Sequence, residues 1–246
     1  MQKQKAFVIG DLHGCYDELQ QLLEHWNRDE EILVFLGDYI DRGPKSLQVV
    51  QYVMELQKQS DDVIALKGNH EDMFLDWMSS EQVERFLRNG GVQTLDSMIE
   101  QSETFEEGSY AAFRTIIEEE FNEELQFLKQ LPHFYEWGEY LFVHAGIDVD
   151  KELVDQTKED YLWIREPFHD GHNRSDKTIV FGHTPVQRLH EDQRDEAWFS
   201  ECKTKIGIDG GAVFGGPLIG LKLNFNGEPE VIAVNDDKDE NTDSIK

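Results

Sequence analysis

The sequence predicts an α/β protein in which two mixed β-sheets pack as a sandwich with helices on both outer faces, a four-layer αββα arrangement. Three observations carry this expectation. The N-terminal third repeats a β-loop-α rhythm three times, which argues for right-handed crossovers and a mostly parallel sheet. The C-terminal half contains short, closely spaced apolar runs, as expected of a second, more antiparallel sheet. Five of the apolar runs end in glycine beside Asp, Asn or His. In an open α/β sheet such strand ends converge on one crevice, where ligands bind.

Ala6 to Ile9 is a short apolar strand. Leu19, Leu22, Leu23 and Trp26 then share one helical face. Ile32 to Leu36 is continuously apolar, as in a strand buried on both faces. Leu47, Val50, Val53 and Met54 repeat the helical spacing, with Pro44 near the start of that helix. Val63 to Leu66 gives a third strand, followed by a helix through Met73, Phe74 and Trp77. From about 79 to 131 the rhythm breaks into an acidic helical insertion, with Asn89-Gly90-Gly91 and Glu107-Gly108-Ser109 as turns. Phe113, Ile116, Ile117 and Phe121 form its apolar stripe. Strands return at Tyr140 to Val143, Thr178 to Phe181, Ile206 to Ile208, Leu218 to Leu223 and Val231 to Val234, and these are expected to build the second sheet. The expectation is therefore one domain over residues 1–234 and a disordered acidic tail over 235–246.

Composition narrows the function classes. Of the 246 residues 39% are hydrophobic and 11% aromatic, enough for a substantial core. The formal charge of −28 argues against nucleic acid and against an anionic membrane surface as partners. No run approaches the roughly 20 apolar residues of a membrane helix. The only cysteines, Cys15 and Cys202, form neither a disulfide framework nor a zinc ribbon, so a reducing cytoplasm is the expected compartment.

The chemistry sits at the strand ends. The motifs are Gly10-Asp11-Leu12-His13-Gly14, Gly37-Asp38-Tyr39-Ile40-Asp41-Arg42-Gly43, Gly68-Asn69-His70-Glu71, His144-Ala145-Gly146 and Gly182-His183-Thr184. Each alone is weak evidence, because Asp beside Gly is common in turns. Together they supply carboxylate, amide and imidazole donors suited to a pair of divalent metals, with Mn, Fe or Zn favoured over Ca.

In these motifs the chain resembles the phosphoprotein phosphatase branch of the calcineurin-like metallophosphoesterases, bacterial serine/threonine phosphatases above all. The resemblance runs from the first strand to Gly216. It implies a calcineurin-like fold and two metal ions, Mn²⁺ first among the candidates. Asp11 and His13 would bind the first metal, Asp38 would bridge, and Asn69, His144 and His183 would complete the second site. A water bridging the metals would lose a proton and attack phosphorus directly. His70 would be the general acid, oriented and charged by Asp41, whose carboxylate is expected to raise the imidazole pKa. Arg42 would grip phosphate, with Asn69 beside it. Arg165 is the expected second phosphate arginine and Arg174 its competitor, since two guanidinium forks suit one phosphate.

Other features receive structural readings. Glu71 is expected to cap the following helix rather than act in catalysis. His25, His133, His169, His172 and His190 are expected to be structural or surface residues, and Cys15 a bystander. Asn89-Gly90-Gly91 is a candidate cap loop over the site. Asp209-Gly210-Gly211 and Gly215-Gly216 are candidates to line the pocket.

The resemblance favours a metal-dependent phosphoserine/phosphothreonine phosphatase. The alternative is symmetrical hydrolysis of diadenosine tetraphosphate on the same fold, which Gly14-Cys15-Tyr16-Asp17-Glu18-Leu19 also fits. A non-catalytic module that recognises phosphorylated partners is disfavoured, because no ligand, acid or orienting residue is missing. Expected partners are thus a phosphorylated protein or a small phosphoester.

Overall fold

β1 (Lys5–Ile9) sits between two cores and shows how the layers form. Its alternate side chains Ala6 and Val8 point one way, and Phe7 and Ile9 the other. The structure is a computed structural model that describes residues 3–80, 83–105, 109–225 and 227–235. After β1 come α1 (Tyr16–Leu23), β2 (Glu31–Phe35), α2 (Ser46–Gln59), β3 (Val63–Ala65) and α3 (Asn69–Ser79). The insertion supplies α4 (Glu84–Phe86), a π-turn over Leu87–Gly91, α5 (Val92–Ile99), α6 (Tyr110–Glu120) and α7 (Asn122–Gln130). Then follow β4 (Phe134–Trp137), β5 (Tyr140–Val143), α8 (Lys158–Trp163), α9 (Glu166–His169), β6 (Thr178–Phe181), β7 (Trp198–Phe199), β8 (Lys205–Gly207), β9 (Leu218–Asn224) and β10 (Glu230–Val234).

Among the described residues the strands form two five-stranded sheets, ordered β10-β9-β1-β2-β3 and β4-β5-β6-β8-β7. Both are mixed. β1, β2 and β3 run parallel, as do β5, β6 and β8, while the remaining pairs are antiparallel. This corrects the expectation that all late strands build the second sheet. β9 and β10 return to the first sheet, where β9 pairs with β1. β9 lies between β1 and β10, which accounts for the burial of Leu218 to Leu221 throughout, but that apolar run would suit a central strand of either sheet. β4 and the short β7 were not anticipated.

Three hydrophobic cores separate four layers. Between the sheets, Val8, Val34 and Leu221 meet Phe142, Val180 and Ile206. Outside the first sheet, Phe7, Leu33 and Phe35 meet α1, α2, α3 and the insertion, through Phe86, Leu95, Phe113 and Leu125. Outside the second sheet, Leu141, Val143 and Phe181 meet Tyr161, Leu162 and Phe168. The insertion stripe is therefore core packing. No described helix is long and apolar enough to cross a membrane. Apart from Asn235, the expected tail lies outside the described residues.

Candidate metal centre

Parallel pairing brings the strand ends to one side of the sandwich. Asp11 and His13 follow β1; Asp38, Asp41 and Arg42 follow β2; Asn69 and His70 open α3; His144 follows β5 and His183 follows β6. All six expected ligands and His70 are buried. The backbone there is strained: His13, Asp38, Asp41, Arg42 and His183 adopt φ of 40°, 52°, 72°, 70° and 62°. Non-glycine residues rarely do so, at about 1–3 kcal/mol each, and such residues gather at functional sites.

Glu71 holds these turns in place. Its buried carboxylate accepts the backbone N–H groups of Gly68 and Asp38 at 2.9 Å, Tyr39 at 2.8 Å and Ile40 at 3.4 Å. The capping expectation is thus extended, because the same side chain also clamps the loop after β2. Asp38 Oδ1 in turn accepts the His70 N–H at 3.0 Å.

Two sets of donors emerge, each with its ligand atoms within 4.8 Å of one another: His13, Asp38 and His70, and Asp38, His144 and His183. Asp38 belongs to both, which is the position of a bridging carboxylate. His144 Nδ1 donates to the Leu36 carbonyl at 2.9 Å, which leaves Nε2 as a lone pair. That lone pair faces Asn69 Oδ1 at 2.8 Å, and His183 Nδ1 faces the same oxygen at 2.8 Å. Two acceptors that face each other in this way, the His144 Nε2 lone pair and Asn69 Oδ1, are satisfied by a cation. His13 is arranged alike, with Nδ1 donating to the Ile40 carbonyl at 2.8 Å and Arg42 donating to Nε2.

Asp11 stands outside both sets. Its two oxygens accept the His183 N–H at 3.0 Å each. Burial, then repulsion from Asp209 and Asp38, pushes its carboxyl well above the usual carboxylate range. Burial and Glu71 do the same to Asp38. Burial drives His144 down to about 3 and holds His13 and His183 well below an ordinary histidine. Neutral imidazoles beside crowded buried carboxylates are the donor set that divalent transition metals favour, so the residues fit the implied cations.

His70 Nδ1 lies 2.6 Å from Asp41 Oδ2. The carboxylate was expected to raise the His70 pKa. Instead burial, aided by His13 and Arg42, pushes the imidazole well below its ordinary value, and burial pushes Asp41 up. Burial is the larger effect because both groups are almost fully out of water.

Thr94, on α5, was not anticipated. Its hydroxyl donates to Asp41 Oδ1 at 2.6 Å and accepts the Asp41 N–H at 2.8 Å. Nothing in the sequence marks it, since it is one helical threonine 53 residues away. The Asn89-Gly90-Gly91 loop does reach the site, where the Gly90 carbonyl accepts the Arg42 N–H at 3.0 Å. Gly90 has φ of 102°, and a Cβ there would meet Arg42 Cγ and N at 2.7 Å. Asp209, read at first only as part of a glycine-rich loop, is a buried carboxylate after β8 that repels Asp11. Its position, Asp before Gly at a strand end, was the available signal.

Arg165 Nη1 donates to Thr184 Oγ1 at 2.8 Å, beside His183. Arg174 instead pairs with the exposed Asp150 at 2.8 Å, away from the centre. Cys15 is buried behind His13, and Cys202 is exposed.

The sequence profile of calcineurin-like phosphoesterases matches residues 5–215. The chain is 30% identical over 247 residues to the bis(5'-nucleosyl)-tetraphosphatase PrpE [asymmetrical] of Anoxybacillus flavithermus, covering 87% of this chain and 89% of the relative. It is 28% identical to the protein of the same name from Halalkalibacterium halodurans, covering 88% and 89%. Two solved structures share the fold. One is a protein serine/threonine phosphatase from Saccharomyces cerevisiae, with TM-score 0.61 and 16% identity over 97% of this chain and 81% of that one. The other is a cold-active protein-tyrosine phosphatase of Shewanella, with TM-score 0.57 and 19% identity over 94% and 80%. With its strand-end donors, its two mixed sheets and a family match over most of its length, the chain belongs to the calcineurin-like phosphoesterases.

Proposed function

We propose that the chain is a metal-dependent phosphohydrolase whose substrate is a bis(nucleosyl) tetraphosphate. The observation that carries hydrolysis is the His70–Asp41 pair, 2.6 Å apart, with His70 at one end of two donor sets that share Asp38. Bound cations, Mn²⁺ first among the candidates, would neutralise phosphate charge and acidify a water. Arg42 and Arg165 grip phosphate oxygens, with Asn69 beside them. As the bond from phosphorus to the leaving oxygen breaks, His70 Nε2 delivers a proton to that oxygen, and Asp41 keeps Nδ1 protonated and the ring aligned. A phosphate anion in the pocket restores the positive charge that burial removes from His70, because an opposite charge favours the imidazolium.

Two observations support the nucleotide. The relatives at up to 30% identity carry that activity in their names. Phe214 is 70% exposed, and the Arg42 guanidinium stands 5.4 Å from its ring centroid. An exposed aromatic beside a phosphate-binding arginine is a surface on which a base can stack. A phosphoserine/phosphothreonine phosphatase is the second reading, favoured by Asp41-Arg42-Gly43 followed by Gly68-Asn69-His70-Glu71. A panel with Mn²⁺ and a chelator control decides between them, comparing diadenosine tetraphosphate with phosphoserine, phosphothreonine and phosphotyrosine peptides. Two ADP as products indicate symmetrical cleavage, and ATP plus AMP asymmetrical cleavage. Peptide hydrolysis without tetraphosphate hydrolysis refutes the first reading.

A further inference from the structure

We propose that a small cavity beside Thr184 is a second phosphate subsite, holding distal phosphates of a polyphosphate chain whose reacting phosphorus lies at the metal centre. The inference rests on the phosphohydrolase reading above. The cavity measures about 190 Å³ and is lined by Arg165, His169, Thr184 and Arg188, with Glu166 and Asp170. Pockets for whole drug-sized ligands span roughly 300–1,000 Å³, so this one fits a portion of a larger molecule.

Its charge is unusual for this chain. There are 51 acidic residues against 23 basic ones, and arginines such as Arg174 and Arg194 have carboxylate partners. Among the described residues, neither Arg165 nor Arg188 has a carboxylate within ion-pair distance, and both Glu166 and Asp170 are exposed. Burial, and after it the like charge of Arg188, holds Arg165 below an ordinary arginine against the pull of Asp209, Asp11 and Glu166. The buried Asp209 attracts Arg42, Arg165 and Arg188 alike without pairing with any of them. Arg42 bonds His13 at the metal centre, Arg165 bonds Thr184 beside His183, and Arg188 lines the cavity together with Arg165.

His169 adds a neutral imidazole. Its Nε2 is buried without a hydrogen-bond partner, and burial holds the imidazole at about 4. Such an atom costs free energy unless a ligand meets it. The segment bearing it is fixed, because Lys205 Nζ donates to the carbonyls of Phe168, His169 and Gly171 at 2.7 Å each. The pocket is therefore built before substrate arrives. Arg188 is its positioning residue, reaching the phosphate chain but not the reacting atoms.

The test uses the full chain with free Mn²⁺ held constant. Inorganic phosphate and tripolyphosphate compete with p-nitrophenyl phosphate, and calorimetry titrates both anions directly. Wild type should bind tripolyphosphate about tenfold or more tightly than phosphate, the scale of one added charge-assisted bond. Arg188→Ala and Arg188→Glu should remove most of that preference, and Arg188→Lys should restore part of it. Absence of the preference in wild type, or its survival in Arg188→Glu, overturns the subsite. If the preference is present but diadenosine tetraphosphate is not hydrolysed, the subsite stands and the substrate reading falls.

Discussion

Replacing Thr94 by valine should damage catalysis from 53 residues away. The side chain is fully buried and valine matches its shape, so little packing is lost. What disappears is the 2.6 Å bond to Asp41 Oδ1 and the 2.8 Å bond from the Asp41 N–H. The second loss is softened, because Ser46 Oγ accepts the same N–H at 3.1 Å. The first is a hydrogen bond to a charged group, worth about 1.5–3 kcal/mol. We expect about 2 kcal/mol of destabilisation, or about 4–8 °C in Tm for a chain of this size. Asp41 then loses one of the contacts that fix it against His70. The general acid supplies about 10²–10⁴-fold, and a misaligned ring should forfeit at least about tenfold in kcat. Burial raises the Asp41 carboxyl and the Thr94 hydroxyl opposes it. Without that hydroxyl Asp41 protonates at higher pH, so the acidic limb of the rate profile should move upward. Steady-state kinetics across pH and a thermal melt read both effects, with Thr94→Ser as the variant that retains the hydroxyl. A Thr94→Val enzyme with wild-type kcat and an unmoved acidic limb refutes the reasoning.

His70→Asn should keep its metals and slow turnover by about 10²–10⁴-fold on a phosphoserine peptide, but by less on a tetraphosphate, whose leaving oxygen is a weaker base. Equal losses on both substrates contradict the acid assignment. Asp38→Asn should lose both cations, since Asp38 joins the two donor sets; elemental analysis after dialysis checks this, and a retained metal pair rejects the bridging role. Metal binding should release protons. Burial raises the carboxyls of Asp11 and Asp38, so a cation that binds their charged forms competes with protons there, while His144, held at about 3, offers a neutral imidazole. Apparent affinity should therefore rise as pH rises through the range in which those carboxyls titrate. Calorimetry in buffers of unlike ionisation enthalpy should detect those protons, and an affinity that ignores pH would falsify the linkage.

The strand-end chemistry was legible because it is local. Glycine, a donor residue and a preceding apolar run lie within one short window, and the sheet fixes where that window points. Alternation of Phe7 and Ile9 against Ala6 and Val8 was equally local. Pairing was not. Nothing within Leu218 to Leu223 states that β9 lies beside β1, because an apolar strand is compatible with either sheet until its neighbours are known. Thr94 was hidden for a related reason: its role depends on a contact made only after the insertion folds over Asp41. Asp209 carried the right local signature, but tight turns use the same residues.

The Glu71 clamp has a consequence for how the site is assembled. One carboxylate ties the turn carrying Asp38 to the start of the helix carrying His70, and Asp38 also receives the His70 N–H. Asp38 and His70, the proposed bridging ligand and proton donor, are therefore tied to each other through the backbone of the two elements that carry them. On the proposed mechanism, the line from attacking water to leaving oxygen is then set by the polypeptide. A change of metal alters the acidity of that water, but the aim of the reaction belongs to a glutamate set behind the centre, holding backbone rather than metal.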